Sequence, residues 1–265
     1  MTNLWIIAGL TWREALRQKF VLATVFCSLG LVLSSLFFRQ FDFGGQELKF
    51  VRDFGFGAMT LFGALLCIFA TGQLFFSDLE NRTVHLILAR PVSRWVFVLG
   101  KALGVLCVVW AYLAAIGLTL ALLLAWQSSQ MDGSVAIVWS DLLVYLWLQG
   151  VRSCALVGVT LLVASYARSQ LLTVMVGVIL WIVFQLQHLA RDAWENGAEG
   201  WQAIGVGLLR FCVPDFQLFD LGDQLVLRDS GVLEWGAFVQ VSAYGLGFAV
   251  LYVSLAMFIF RKREI

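Results

Sequence analysis

Charge is scarce in this sequence. Asp, Glu, Lys and Arg make up only 13% of the 265 residues, where an ordinary soluble domain carries about 25%. That is too little to cover a water-facing surface. Net charge is +1, so no basic excess points to nucleic acid. Histidine occurs twice, and no Cys or His pair has ligand spacing, which argues against a metal site. Cys27, Cys67, Cys107 and Cys154 lie in apolar runs and only Cys212 lies in a loop, so no disulfide framework is expected. The four read as small apolar fillers. There is no G-x-x-x-x-G-K-[ST] phosphate loop, and hence no ATPase site in the chain itself. No H-E-x-x-H or Ser/His set supports an intramembrane enzyme. No acid sits inside an apolar span to carry ions in a secondary transporter. The first apolar run lacks a small-residue cleavage site and is expected to stay in the mature protein.

What remains is apolar. Hydrophobic residues make up 61% of the chain, and mean hydropathy is +0.87. Crossing a bilayer core takes about 20 mostly apolar residues. Six stretches qualify: 20–38, 54–76, 102–125, 142–166, 171–189 and 237–260. The fold class expected is an all-α polytopic membrane protein. It has six transmembrane helices, an N-terminal interfacial helix and short outer helices between spans five and six. Gly100 and Gly104 form a small-xxx-small pair, read either as a packing face or as chance in a glycine-rich chain.

Basic residues set the orientation. With the N-terminus inside, Arg13, Arg17, Lys19, Arg82, Arg90, Arg94, Lys101, Arg168, Arg261, Lys262 and Arg263 fall on the inner side. Arg39, Lys49, Arg52, Arg191, Arg210 and Arg228 fall outside. The excess predicts that both termini are cytoplasmic. No soluble part is long enough for a separate domain, so 1–265 reads as one membrane domain.

Residues 1–19 read as an amphipathic helix. Trp5, Ala8, Trp12, Ala15 and Lys19 recur on one face, with Arg13, Arg17 and Glu14 off it. A helix lying in the inner interface is preferred to an extension of the first span, because the cations would be costly deeper in. Residues 78–94, "DLENRTVHLILARPVSR", form a charged inner loop with an apolar centre. Asp78 or Asn81 can cap a short helix there, and Pro91 ends it. A helix of about ten residues is marginal alone. It must dock, either on lipid or in a groove on a cytoplasmic partner.

The order of motifs here resembles that of ABC type-2 exporter permeases. Glu80 and Thr83 are followed by the apolar helix, then by Arg90-Pro91-Val92-Ser93-Arg94 and Gly100-Lys101. "REALRQKF" is similar to the family's elbow helix, and "SYARSQ" to the turn between its fourth and fifth spans. "VPDFQLF" followed by "LGD" is similar to a subgroup associated with copper-enzyme maturation and gliding motility. His85 stands where many relatives have Leu, and Thr83 where Gly is common.

The resemblance implies a permease subunit of an ATP-driven exporter for a hydrophobic or amphipathic substrate, in the bacterial cytoplasmic membrane. ATP and Mg would be bound by a separate ATPase, with no cofactor in this chain. Glu80, Thr83, Val84, His85, Leu86, Ile87, Leu88, Arg90 and Arg94 would couple to that ATPase. Trp5, Trp12, Arg13 and Arg17 would belong to the elbow. A second permease copy, identical or homologous, is implied. The alternative is an ATPase-coupled assembly that transmits conformational change to an outer or periplasmic partner without transport.

Arg152 lies ten residues into the fourth span, about 15 Å along the helix. A cation at that depth faces a cavity or a partner. With Gln149, one turn earlier, it is a candidate for the transport path. The other reading, slightly preferred, is that it snorkels or pairs with an outer acid such as Asp141 or Asp53. Gln185, Gln187 and His188 read as a polar end to the fifth span. In the outer loop, 190–233, Trp201, Ile204, Leu208 and Phe211 share one face, and Phe216, Phe219 and Leu221 approximately another. Two short helices resting on the outer leaflet, or lidding an exit, are expected.

Overall fold

In a bilayer the backbone has no water to bond, so an irregular chain cannot cross. The computed structural model answers this with helices. It describes residues 2–40, 47–80, 93–128, 139–187, 189, 213–220 and 235–262. Among these the long elements are α1 (Thr2–Arg17), α2 (Lys19–Ser34), α3 (Glu47–Glu80), α4 (Arg94–Ser128), α5 (Trp139–Tyr166), α6 (Gln170–Gln185) and α7 (Trp235–Lys262). Single 3-10 turns occur at Ser35–Gln40 and Phe216–Asp220. No strand occurs among the described residues. Five helices, α2, α3, α4, α5 and α7, are long and apolar enough to cross a membrane.

The all-α polytopic architecture is therefore the one observed, with a difference at the fifth span. Instead of 171–189, α6 is a shorter apolar helix of 16 residues. Ser169 caps its start, accepting from the Leu172 amide at 3.3 Å. At its end Leu186 leaves the regular helix, where two glutamines are committed elsewhere. Gln185 accepts from Arg152, and Gln187 Nε2 donates to the Val213 carbonyl at 3.1 Å.

α5 is the central helix, touching α3, α4, α6 and α7. α3 and α4, at 34 and 35 residues, are the longest. Each is about 50 Å long against a hydrocarbon core of about 30 Å, so both project beyond it. α7 packs chiefly on α5. Polar residues in the spans turn inward. Ser28 and Tyr112 join α2 to α4 at 2.8 Å. Thr60 and Tyr145 join α3 to α5 at 3.0 Å. Cys27, Cys67, Cys107 and Cys154 are free thiols.

α1 is set apart from α2 by one extended residue, Gln18 (φ −74°, ψ 121°). The face it buries against the bundle is Ile7, Ala8, Thr11 and Ala15. Trp5 is 70% exposed, Trp12 half-buried, and Arg13, Arg17 and Lys19 exposed. The reason lies on α4. Gly100 faces Ile7 and Gly104 faces Thr11 so closely that a Cβ at Gly104 would lie 2.5 Å from Thr11 Cβ. Small residues let two backbones approach, and indole rings cannot enter. The glycine pair is a packing face. Gly104→Val should therefore force α1 off α4. A loss of about 1–3 kcal/mol is expected from overpacking, read as a lowered unfolding temperature in detergent.

Candidate functional site

The 81–92 segment lies outside the described residues, but its two stems do not. α3 ends and α4 begins side by side at the end of the bundle where α7 also ends. Three fully buried rings fasten them. Phe260 of α7 packs on Phe75 of α3 (centroids 5.6 Å) and on Phe97 of α4 (5.8 Å). Beside these rings is a polar cluster. Lys101, its side chain 4% exposed, places Nζ 2.6 Å from Asp78 Oδ2 and 3.5 Å from Glu14 Oε2. Glu14 Oε1 also accepts from Ser77 Oγ at 2.8 Å. One turn along α1, Gln18 Oε1 accepts from Gln73 Nε2 at 2.6 Å.

Of the residues expected to couple to an ATPase, Glu80 is the last of α3 and Arg94 the first of α4, so both stand on the stems. Thr83, Val84, His85, Leu86, Ile87, Leu88 and Arg90 lie outside the described residues. The sequence did not single out Gln73, nor the pairing of Glu14 with Lys101. Lys101 read only as an inner charge in a "GK" pair, and nothing local marks its partners on two other helices.

The second polar centre is at the opposite end of α3. Arg152 is buried to 2% exposure. Its guanidinium donates to Asp220 Oδ1 at 3.0 Å and to Gln185 Oε1 at 2.6 Å. Its Cζ lies 5.0 Å from the centroid of the Phe216 ring, a cation–π distance. The acid that pairs with Arg152 is thus Asp220, whereas Asp53 pairs with its neighbour Arg52 at 2.9 Å. Gln149 is also buried, and its Nε2 reaches Thr60 Oγ1 at 3.4 Å.

The turn that supplies Asp220 enters the bundle. Phe216 and Phe219 are fully buried, Phe216 against Phe184 (5.0 Å) and Phe219 against Tyr244 (6.5 Å). The Asp215 amide donates to Tyr244 Oη at 3.1 Å, and Asp215 Oδ1 accepts from the Gln217 amide at 3.0 Å. Of the two placements expected for Phe216 and Phe219, on the outer leaflet or lidding an exit, burial in the bundle does not fit the first. Rings this large, one of them stacked on the Arg152 guanidinium, gain more by filling the space between α5, α6 and α7. Trp201, Ile204, Leu208, Phe211, Leu221 and His188 lie outside the described residues.

Beside this pairing is a cavity of about 330 Å³. Asp53, Thr60, Tyr145, Trp181, Gln185 and Asp220 are among its walls. Arg152 and Gln149 do not line it, but Asp220, Gln185 and Thr60, which bind them, do. The cavity mixes aromatic faces with hydrogen-bonding groups, as small-molecule sites do.

The ion pair is lopsided: Arg152 is 3% exposed at its side chain and Asp220 38%. Removing the acid strands a buried cation, whereas removing the cation leaves a carboxylate that water can reach. Asp220→Ala should cost roughly 2–3 kcal/mol, the low side for breaking a buried pair because Gln185 and Phe216 remain. Arg152→Met should cost less than half of that. Thermal unfolding of the two variants in one detergent checks the order.

A search of curated proteins gave no match. The family described as "ABC-2 family transporter protein" matches residues 37–191, from the 3-10 turn after α2 through α6. The match takes in both stems, the segment between them and Arg152. Proteins of that family are membrane subunits of ABC transporters that work with a separate ATPase, generally as dimers. The match covers more than half of the chain, and this multi-pass membrane protein belongs to the ABC-2 transporter family as a permease subunit.

Proposed function

We propose that this chain is the transmembrane subunit of an ATP-driven exporter for a hydrophobic or amphipathic substrate. Coupling runs through the 78–94 segment to a separate ATPase that binds ATP and Mg. The observation that carries the reading is the pair of stems. α3 and α4 are the two longest helices, and a buried ion cluster and three packed aromatic rings hold their adjoining ends together. Val84, Leu86, Ile87 and Leu88 supply an apolar docking face, and Glu80, Arg90 and Arg94 orient it. The charge bias of the sequence supports placing this end, with both termini, in the cytoplasm of a bacterial cell.

Two copies enclose the path. The cavity next to Arg152 belongs to it at the outer end, with Arg152 and Gln149 holding its walls in place. Export fits the "VPDFQLF" turn, which resembles the subgroup linked to copper-enzyme maturation and gliding motility. A tagged chain pulled from its native membranes in mild detergent should bring down an ATPase. Leu86→Asp with Leu88→Asp should reduce that recovery at least tenfold. Equal recovery from wild type and variant would reject the coupling role of the segment. If the ATPase is recovered but no substrate moves with its turnover, force transmission to an outer partner replaces export.

A further inference from the structure

We propose that Lys101 is an electrostatic clamp that binds α1 to both stems of the 81–92 segment, so that the three shift as one body. The ammonium sits on the α4 stem and is 4% exposed at its side chain. Its two carboxylate partners come from different elements, Asp78 on the α3 stem at 2.6 Å and Glu14 on α1 at 3.5 Å. A buried lysine without partners would be strongly unfavourable. Lysine suits the position because its compact charge carries three donors that can serve several acceptors at once. Two acids against one cation are tolerable because Glu14 keeps 31% exposure.

The clamp is one part of a longer contact. Ile7, Thr11, Glu14 and Gln18 recur at spacings of four, three and four along α1 and its last linking residue. That is one helical stripe. Its first half fits the glycines of α4, with Ile7 at Gly100 and Thr11 at Gly104. Its second half is polar and reaches the α3 stem, Glu14 at Ser77 and Gln18 at Gln73. Lys101, with its partner Glu14, joins all three elements: the ammonium reaches Asp78 and Glu14, and Glu14 reaches Lys101 and Ser77. The apolar half would let α1 slide or roll on α4. The charges fix its register to both stems.

A displacement at the stems is then passed to α1, and through the single residue Gln18 to α2. This deepens the coupling reading and rests on it only for what drives the stems. The clamp itself is testable without an ATPase.

The measurement is amide hydrogen exchange of the full chain in mild detergent. Lys101→Met should speed exchange at least tenfold in residues 11–17 and at both stems, and leave α5 and α7 unchanged. Exchanging the charges, Asp78→Lys with Lys101→Glu, again sets one cation between two carboxylates. It should restore protection to within twofold of wild type. Unchanged exchange in Lys101→Met overturns the clamp. So does a swapped variant that folds but stays unprotected over 11–17, because packing alone would then explain the burial of Lys101. If Lys101→Met does not fold, the swap alone decides by the same criterion. Failure to recover any ATPase with the wild-type chain would remove the coupling reading and leave the exchange result intact.

Discussion

Everything in this chain follows from one restriction: inside a bilayer, a polar group must find its partner within the protein. The backbone meets it with helices. The small hydroxyls meet it by bonding back one turn, as Thr24 does to Phe20, Ser153 to Gln149, Thr160 to Leu156 and Ser165 to Leu161. Larger polar groups cannot reach their own backbone and must bridge helices. The bridges Ser28–Tyr112, Thr60–Tyr145 and Arg152–Asp220 therefore decide which helices are neighbours. Apolar packing in lipid is undirected by comparison, since lipid tails are as apolar as leucine.

The two ends of the bundle apply this rule in opposite ways. At the stem end a flexible lysine serves carboxylates on two other helices, and aromatic rings close the space beside it. At the other end a planar guanidinium is held by one acid, one amide and one ring face. The first arrangement joins helices that are far apart in sequence but all near a chain terminus or a turn. The second draws an outer segment down into the bundle. Both use a cation as the hub, because a buried cation has no neutral alternative at ordinary pH when it is arginine and several donors to place when it is lysine.

Much of this was legible in the sequence and some was not, for definite reasons. The spans show as apolar runs because length and hydropathy are local properties. The depth of Arg152 could be counted, but its partner could not, since Asp220 lies 68 residues away. The face by which α1 docks on the bundle could not be read locally, because the opposing glycines lie on another helix. Which stripe is buried depended on Gly100 and Gly104, nearly 90 residues downstream of α1. The end of α6 was misplaced because hydropathy continues through Leu186 and Leu189, while Gln185 and Gln187 are bound to groups that no local pattern reveals.

The turn at Phe216–Asp220 has a further consequence. It is stapled near the middle of the stretch between α6 and α7 by two rings, an ion pair and a tyrosine hydroxyl. The chain between α6 and α7 is thereby fixed to the bundle at residues 213–220 as well as at the helix ends. A change that unseats Phe216 or Phe219 would draw Asp220 away from Arg152 at the same time, so the buried cation and the placement of this connection stand or fall together.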